Sequence, residues 1–345
     1  MRSVFFRASL WLALLLFLSS FRILSAKAEK PELELKLDAF FQKQNATIAV
    51  TDSGLGGLSV MAEAVRRMKE AHIFKEAHFI FFNALFSAEG GYNSLRTRQE
   101  KIAVFDSALE SLEKKCRPDV ILIGCNTLSV LYRDTEFSRR TRIPVVGIVD
   151  AGVEVIRSHM QARPDSSVII FGTPTTIAEA THKERLTSLG VAETRIYSQS
   201  CPELENFIER DYGGEETAML ISACVDEAVQ KIPPPRPPLF VSLNCTHYGY
   251  SLPLWEKAFQ ESGINPLAIL NPNSRMTDVL FRPEYRNRHK KTDVTARVVS
   301  LVEIDRDKVE SLAKWLGDVS PETAAALRNY ELNRTLFEWK TLIKR

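Results

Sequence analysis

Twice in this 345-residue chain an apolar run stops at a cysteine. Leu239 to Asn244 leads into Cys245, Thr246 and His247, and Asp119 to Gly124 leads into Cys125, Asn126 and Thr127; a helix-like stretch follows each. Runs of this length and apolarity read as strands buried within a sheet. A buried strand that turns sharply into a helix leaves its last residues at the sheet's edge, where open α/β folds bind ligands. Two cysteines so placed, each followed by small polar donors, predict one cleft with a thiol on either wall.

The rest of the chain keeps the same rhythm. Strand-like runs fall at Ile48 to Thr51, Ala77 to Phe82, Ile143 to Val149, Ser167 to Phe171 and Arg195 to Ser198. Helical periodicity falls at Met61 to Glu70, Thr97 to Lys115, Ala151 to Gln161 and Glu215 to Ile232. Alternation of this kind predicts an α/β fold with parallel sheets. Each half has a strand ending in small polar residues (Asp52 and Ser53; Gly172 and Thr173), then one ending in cysteine, a hint of two similar lobes facing each other. Residues 280–345 are more charged, with Arg282, Arg286, Arg288, Lys290 and Lys291 read as a solvated face, and amphipathic helices are expected around Val309 to Leu316 and Ala324 to Leu336.

The first 28 residues stand apart. Arg2 and Arg7 precede an apolar run from Ser9 to Phe21, and Ala26-Lys-Ala28 is a small-x-small cleavage pattern. The run is shorter than the ~20 residues a membrane span needs, so a signal peptide cleaved after Ala28 and a periplasmic or secreted protein are expected. A formal net charge of +2 gives no field to attract nucleic acid or an anionic membrane. Five cysteines at irregular spacing, without a CxxC pair, suggest neither a disulfide framework nor a metal site.

A free thiol titrates near ~8.5, and a helix N-terminus or a cation lowers that value. His247 lies two residues from Cys245 and can share a proton with it; Asp52 can serve Cys125 if their strands adjoin. Asn126, Thr127 and Thr246 are short donors suited to a carboxylate. A thiol pair on opposite walls fits one task well. One thiolate removes the α-proton of an amino acid while the other thiol delivers a proton to the opposite face, which inverts the centre. The glycine turn after Asp52 has strand–turn–helix geometry that can bind an anion, but it lacks a dinucleotide fingerprint and Asp52 repels phosphate.

Asp52-Ser-Gly-Leu-Gly-Gly-Leu-Ser59, Cys125-Asn-Thr127 and Cys245-Thr-His-Tyr248 resemble, in order and spacing, the three signature motifs of the cofactor-independent glutamate racemases, over roughly residues 46–275. The resemblance implies two pseudo-symmetric three-layer αβα lobes with mostly parallel sheets and an inter-lobe active-site cleft. The expected division is 29–144 plus 268–345 for the lobe of Asp52 and Cys125, and 145–267 for the lobe of Cys245. It implies glutamate as substrate, no pyridoxal phosphate or other cofactor, Cys125 acting on the D-enantiomer and Cys245 on the L-enantiomer. Asp52 and His247 would assist, and Ser53, Asn126, Thr127 and Thr246 would bind substrate, with Tyr92 and Thr175 as further contacts. His247 stands where aspartate racemases of the superfamily usually carry glutamate, which favours glutamate as substrate. Three features depart from the family pattern: the Asn83–Asn93 stretch replaces a Pro-Tyr-Gly contact, with Tyr92 standing in; Asn244 replaces a glycine and Gly249 a proline; and Asn271-Pro-Asn-Ser274 replaces Asp-Ser-Gly. The alternatives are a related isomerase (aspartate or hydantoin racemase, maleate isomerase) and an exported amino-acid-binding protein without turnover. The expected partners are a small amino acid and, as a candidate assembly, a homodimer.

Overall fold

The structure, a computed structural model, describes residues 31–343. The expected signal peptide, residues 1–28, lies outside them. The first described helix is α1 (Glu32–Phe41), then β1 (Asn45–Asp52), α2 (Leu58–Ala71), β2 (Glu76–Asn83), α3 (Arg98–Cys116), β3 (Val120–Ile123), the single turn α4 (Asn126–Ser129) and β4 (Val145–Gly147). The chain continues through α5 (Ile148–Ala162), β5 (Ser167–Gly172), α6 (Pro174–Ala178), β6 (Ile196–Ser200), α7 (Leu204–Arg210), α8 (Glu215–Gln230), β7 (Leu239–Asn244), α9 (Leu252–Glu261), β8 (Ala268–Leu270) and α10 (Pro272–Met276). It closes with β9 (Asp293–Ser300), α11 (Arg306–Val319), α12 (Pro321–Arg328) and β10 (Glu331–Leu332).

The strands form two sheets, ordered β10-β9-β2-β1-β3-β4 and β6-β5-β7-β8, with every described pairing parallel. The path 2-1-3-4 in the first sheet is repeated as 6-5-7-8 in the second, so β1 corresponds to β5 and β3 to β7. The first sheet differs by two added strands at one edge. Parallel strands need helical crossovers, which cover both sheet faces; Ile48, Ala49 and Val50 in β1, and all of β3, are accordingly buried. This is the α/β, two-sheet architecture the sequence predicts.

Several boundaries differ from expectation. The strand expected at 143–149 shortens to β4, which pairs with β3 in the first sheet, because Ile121 N–H already bonds the carbonyl of Pro144 and sets the register. β8 pairs with β7, so residues 268–270 belong to the second sheet. The chain thus leaves the first sheet after Gly147 and the second after Leu270, a few residues beyond the expected divisions at 144/145 and 267/268. The helix expected over 324–336 ends at Arg328. Beyond it β10 pairs with Val299 and Ser300, and Leu336 and Phe337 turn back onto the sheet, Phe337 meeting Phe82 with ring centroids 6.0 Å apart. Nor is the charge run wholly solvated: Arg282 bonds Glu34 and Asp38 of α1 and lies 5.0 Å from the Phe41 ring, while Arg288 caps carbonyls of Phe41 and Lys43. These contacts pin α1 to the body of the first lobe.

Candidate active site

In an order that steps from β1 to β2 and then back across to β3, the crossovers diverge at the β1/β3 boundary, and a crevice opens at the carboxyl ends of those strands. β1 and β3 are direct neighbours, so Asp52 and Cys125 emerge side by side there. The second sheet repeats the device at β5/β7, which delivers Thr173 and Cys245. All four residues line one cavity of about 910 Å3, mouth included.

Around Cys125, the Ser53 hydroxyl lies 3.1 Å from the sulfur, and Leu128 N–H points at it from 3.4 Å. Asp52 accepts from Gly54 N–H at 3.1 Å and, across the lobes, from the Thr246 hydroxyl at 2.7 Å. Around Cys245, His247 Nδ1 lies 3.5 Å from the sulfur and Nε2 lies 2.8 Å from Glu209 Oε1. Glu209 also accepts from Leu55 N–H through Oε1 and from Lys308 through Oε2, each at 2.8 Å. The chain Cys245–His247–Glu209–Lys308 is thus a relay anchored on three elements, buried as far as Glu209 and partly exposed at Lys308. With Nε2–H donated to Glu209, Nδ1 is free to accept the thiol proton.

Burial sets the electrostatics. Loss of solvent, then the charge of Asp52, pushes the Cys125 thiol up to about 12. Burial, then the charge of Glu205, holds Cys245 well above the usual thiol range. The expectation that helix N-termini would lower both values is overturned: a one-turn helix follows Cys125, a 3-10 turn follows Cys245, and desolvation exceeds either. Glu209 behaves oppositely. Burial acts to raise it, but the hydrogen bond and charge of His247, with Lys308, outweigh burial and bring it to about 2. Burial likewise acts to lower His247, and Glu209 outweighs it, so His247 rises. Burial raises Asp52 despite the opposing charge of His247.

The cavity brings together Cys125, Cys245, Asp52, His247, Ser53, Tyr92, Asn126, Thr127 and Thr246 among the residues singled out from sequence. Asn126 contributes an amide whose oxygen and nitrogen are both buried without a partner, and the buried Tyr92 hydroxyl has none either. Thr175 is not brought to the cavity wall. Its hydroxyl donates to Asn93 and accepts from Lys101, both at 2.7 Å, because its place within α6 turns it toward the 93–101 segment; Thr173, at the mouth of β5, takes the wall position. Two N–H groups of the glycine turn are taken by carboxylates of the protein itself, Gly54 by Asp52 and Leu55 by Glu209. A Cβ on Gly56 would meet His247 Nδ1 at 2.6 Å and His247 N at 2.8 Å, so this glycine lets the first lobe seat against the Cys245 motif. Asn273, in the divergent Asn271–Ser274 stretch, bonds Ser59 and the carbonyl of Thr246, each at 2.9 Å, clipping the lobes from behind.

Sequence reasoning missed Glu205, Glu209 and Lys308. The first two lie one helical turn apart on α7, just after Cys201-Pro202, and Lys308 comes from α11, beyond the region of motif resemblance. A carboxylate pair at i, i+4 beside apolar Leu204 and Ile208 is the signal that could have found the acids; nothing local marks Lys308.

Comparison with known proteins decides the lineage. The Asp/Glu/Hydantoin racemase family profile matches residues 53–234. The chain belongs to the Asp/Glu/Hydantoin racemase family. Racemisation is an isomerisation, so the family places it among the isomerases. The match ends before Cys245, so the second thiol enters through the fold. A glutamate racemase of Clostridium botulinum is 32% identical over 175 residues, covering 50% of this chain and 62% of that protein. One from Lysinibacillus sphaericus is 28% identical over 207 residues, covering 59% and 70%. Among solved structures, glutamate racemase from Francisella tularensis in complex with D-glutamate superposes with a TM-score of 0.61 at 18% identity, covering 80% of this chain and 95% of that one. Glutamate racemase from Bacillus anthracis gives 0.60 at 18%, covering 79% and 94%. At that identity the likeness is one of fold, and it extends the racemase-family architecture to both lobes.

Proposed function

We propose that this protein is an exported amino-acid racemase that interconverts L- and D-glutamate by proton transfer between two thiols, without a cofactor. The observation that carries the reading is the delivery of Cys125 and Cys245 by equivalent strands of two repeated sheets into one cavity, each with its own buried partner for a proton. The relatives named above as glutamate racemases support glutamate as the substrate. Asn126, with its unpartnered amide, supplies a neutral donor for a carboxylate; the Thr127 and Thr173 hydroxyls bond each other and Thr246 donates to Asp52, so each joins it only by giving up that bond.

In the L-to-D direction Cys245 passes its proton to His247, and the resulting thiolate takes the α-proton. The α-carbon then accepts the proton of Cys125 on its other face. Two S–H bonds and one C–H bond break, and one S–H, one C–H and the Nδ1–H of His247 form, which leaves Cys245 protonated, His247 as imidazolium and Cys125 as the thiolate that begins the reverse reaction. Burial holds both thiols toward the protonated form, so the base must be created after binding, inside a cavity lined by buried groups where electrostatic interactions are strong. The Glu209 bond orients His247 for this step and stabilises its imidazolium.

The test is α-deuterium incorporation from heavy water. L-glutamate gains deuterium and racemises with the wild type, and Cys125→Ala and Cys245→Ala each lose racemisation by at least about a thousandfold, as expected when a group on the proton path is deleted. Binding of glutamate without deuterium uptake would falsify the catalytic reading in favour of a binding protein.

Export rests on the amino-terminal pattern alone. Its test is the mass of the protein recovered from an expressing bacterium, expected to begin at Glu29; protein retained in the cytoplasm with residues 1–28 attached counts against it.

A further inference from the structure

Five carboxylates line the cavity; Glu303 and Asp305 are exposed, and of the other three two are fully engaged. Asp52 is held by Gly54 and Thr246, and Glu209 by Leu55, His247 and Lys308. Glu205 is different. Its Oε1 accepts from Asn93 at 2.9 Å, while Oε2 is buried and has no hydrogen-bond partner. Buried carboxylate oxygens are ordinarily paired, and an exception calls for an explanation. Glu205 lines the same cavity as both cysteines, and its charge is the strongest acting on Cys245. The missing donor therefore belongs to whatever enters the cavity.

An α-carbon undergoing proton transfer sits against the sulfur, so a group beside that sulfur meets a substituent of the α-carbon rather than the far end of the side chain. The α-carboxylate is repelled by Glu205; the α-ammonium is a donor of the right charge. We propose that Glu205 is a substrate-binding residue whose free oxygen accepts the α-ammonium of the amino acid. The assignment rests on the two-thiol reading above and adds a consequence to it. In the empty site burial raises Glu205, and the charge it carries when ionised disfavours a second negative charge on Cys245. A bound ammonium cancels that charge, so substrate itself eases formation of the thiolate, and an acid lacking the amino group does not.

The experiment compares L-glutamate with glutarate, which lacks the amino group, by calorimetric titration of wild type and Glu205→Gln. Wild type prefers L-glutamate. Glu205→Gln weakens L-glutamate about ten- to a hundredfold, as for loss of a charge-assisted hydrogen bond, and leaves glutarate within about twofold. Equal weakening of both ligands, or of neither, overturns the assignment. A second measurement follows alkylation of Cys245 by iodoacetamide against pH in a Cys125→Ala background, read by peptide mapping. Removing the Glu205 charge moves the midpoint to lower pH; an unmoved midpoint overturns the thiol consequence. Glu205→Asp, which keeps the charge but shortens the reach, weakens L-glutamate without moving the midpoint, and serves if the glutamine variant does not fold. Wild type that takes up no deuterium and binds no L-glutamate sinks the racemase reading and this assignment together. Wild type that exchanges, beside an indifferent Glu205→Gln, sinks this assignment alone.

Discussion

Glu209 ties α7, the glycine turn, the Cys245 motif and α11 to one carboxylate, and its titration makes that visible. Its ordinary value of 4.5 falls to about 2 in the folded protein. The unfolded chain therefore binds the proton more readily, so the stability Glu209 contributes is complete above about pH 4.5 and is lost as pH falls toward 2. The slope of unfolding free energy against pH in that window should be shallower in Glu209→Gln by up to one proton, or about 1.4 kcal/mol per pH unit. Chemical denaturation at stepped pH measures it, and identical slopes would refute the assignment. His247 runs the other way: its value is raised, so its contribution is full below 6.5 and fades as pH climbs through the folded value. Glu209→Gln should also lower the L-to-D rate about a hundredfold, with a smaller effect on deuterium exchange begun from the D-enantiomer, where Cys125 is the base.

At the scale of elements, the glycine turn and α10 hold the two lobes in register. Gly56 leaves space that His247 fills, and a methyl there would have to displace backbone as well as the imidazole. Gly56→Ala is expected to cost about 1–3 kcal/mol in denaturant unfolding, the range for overpacking a filled site, and to reduce activity more steeply than stability because it moves His247. A variant equal to wild type in both would show the seat to be looser than drawn. Asn273 bonds both Ser59 and the Thr246 carbonyl. Asn273→Ala should destabilise by about 1–3 kcal/mol, since it leaves a buried carbonyl unpaired. The Asp-Ser-Gly replaced here is answered by this clip, and Gly249, in place of proline, accommodates Asn271 directly above it. The two departures compensate each other.

Across the whole molecule, five free cysteines and an expected oxidising compartment make the thiols a test of the architecture. Purified mature protein is expected to yield five titratable thiols after denaturation without reductant, and active protein with Cys125 and Cys245 joined would contradict the mechanism. Much of this molecule is written locally. The alternation of buried strands with amphipathic helices dictates parallel sheets, since parallel strands can be connected in no shorter way, and the cysteines at strand ends follow from where β3 and β7 stop. The strand β9 was less legible: only its last three residues are buried, and a half-exposed strand amid charges resembles a solvated segment. Glu205, Glu209 and Lys308 were beyond reach for a different reason. An acid on a helix face and a lysine near the carboxyl end of the chain carry no local mark of function; they acquire one when the folding of α7 and α11 against the Cys245 motif removes water from them. Sequence fixes which strands form and which residues end them, because periodicity and turn chemistry act between near neighbours. Which charges lose their solvent, and so which way each thiol and carboxylate titrates, is settled only by the packing of one lobe on the other.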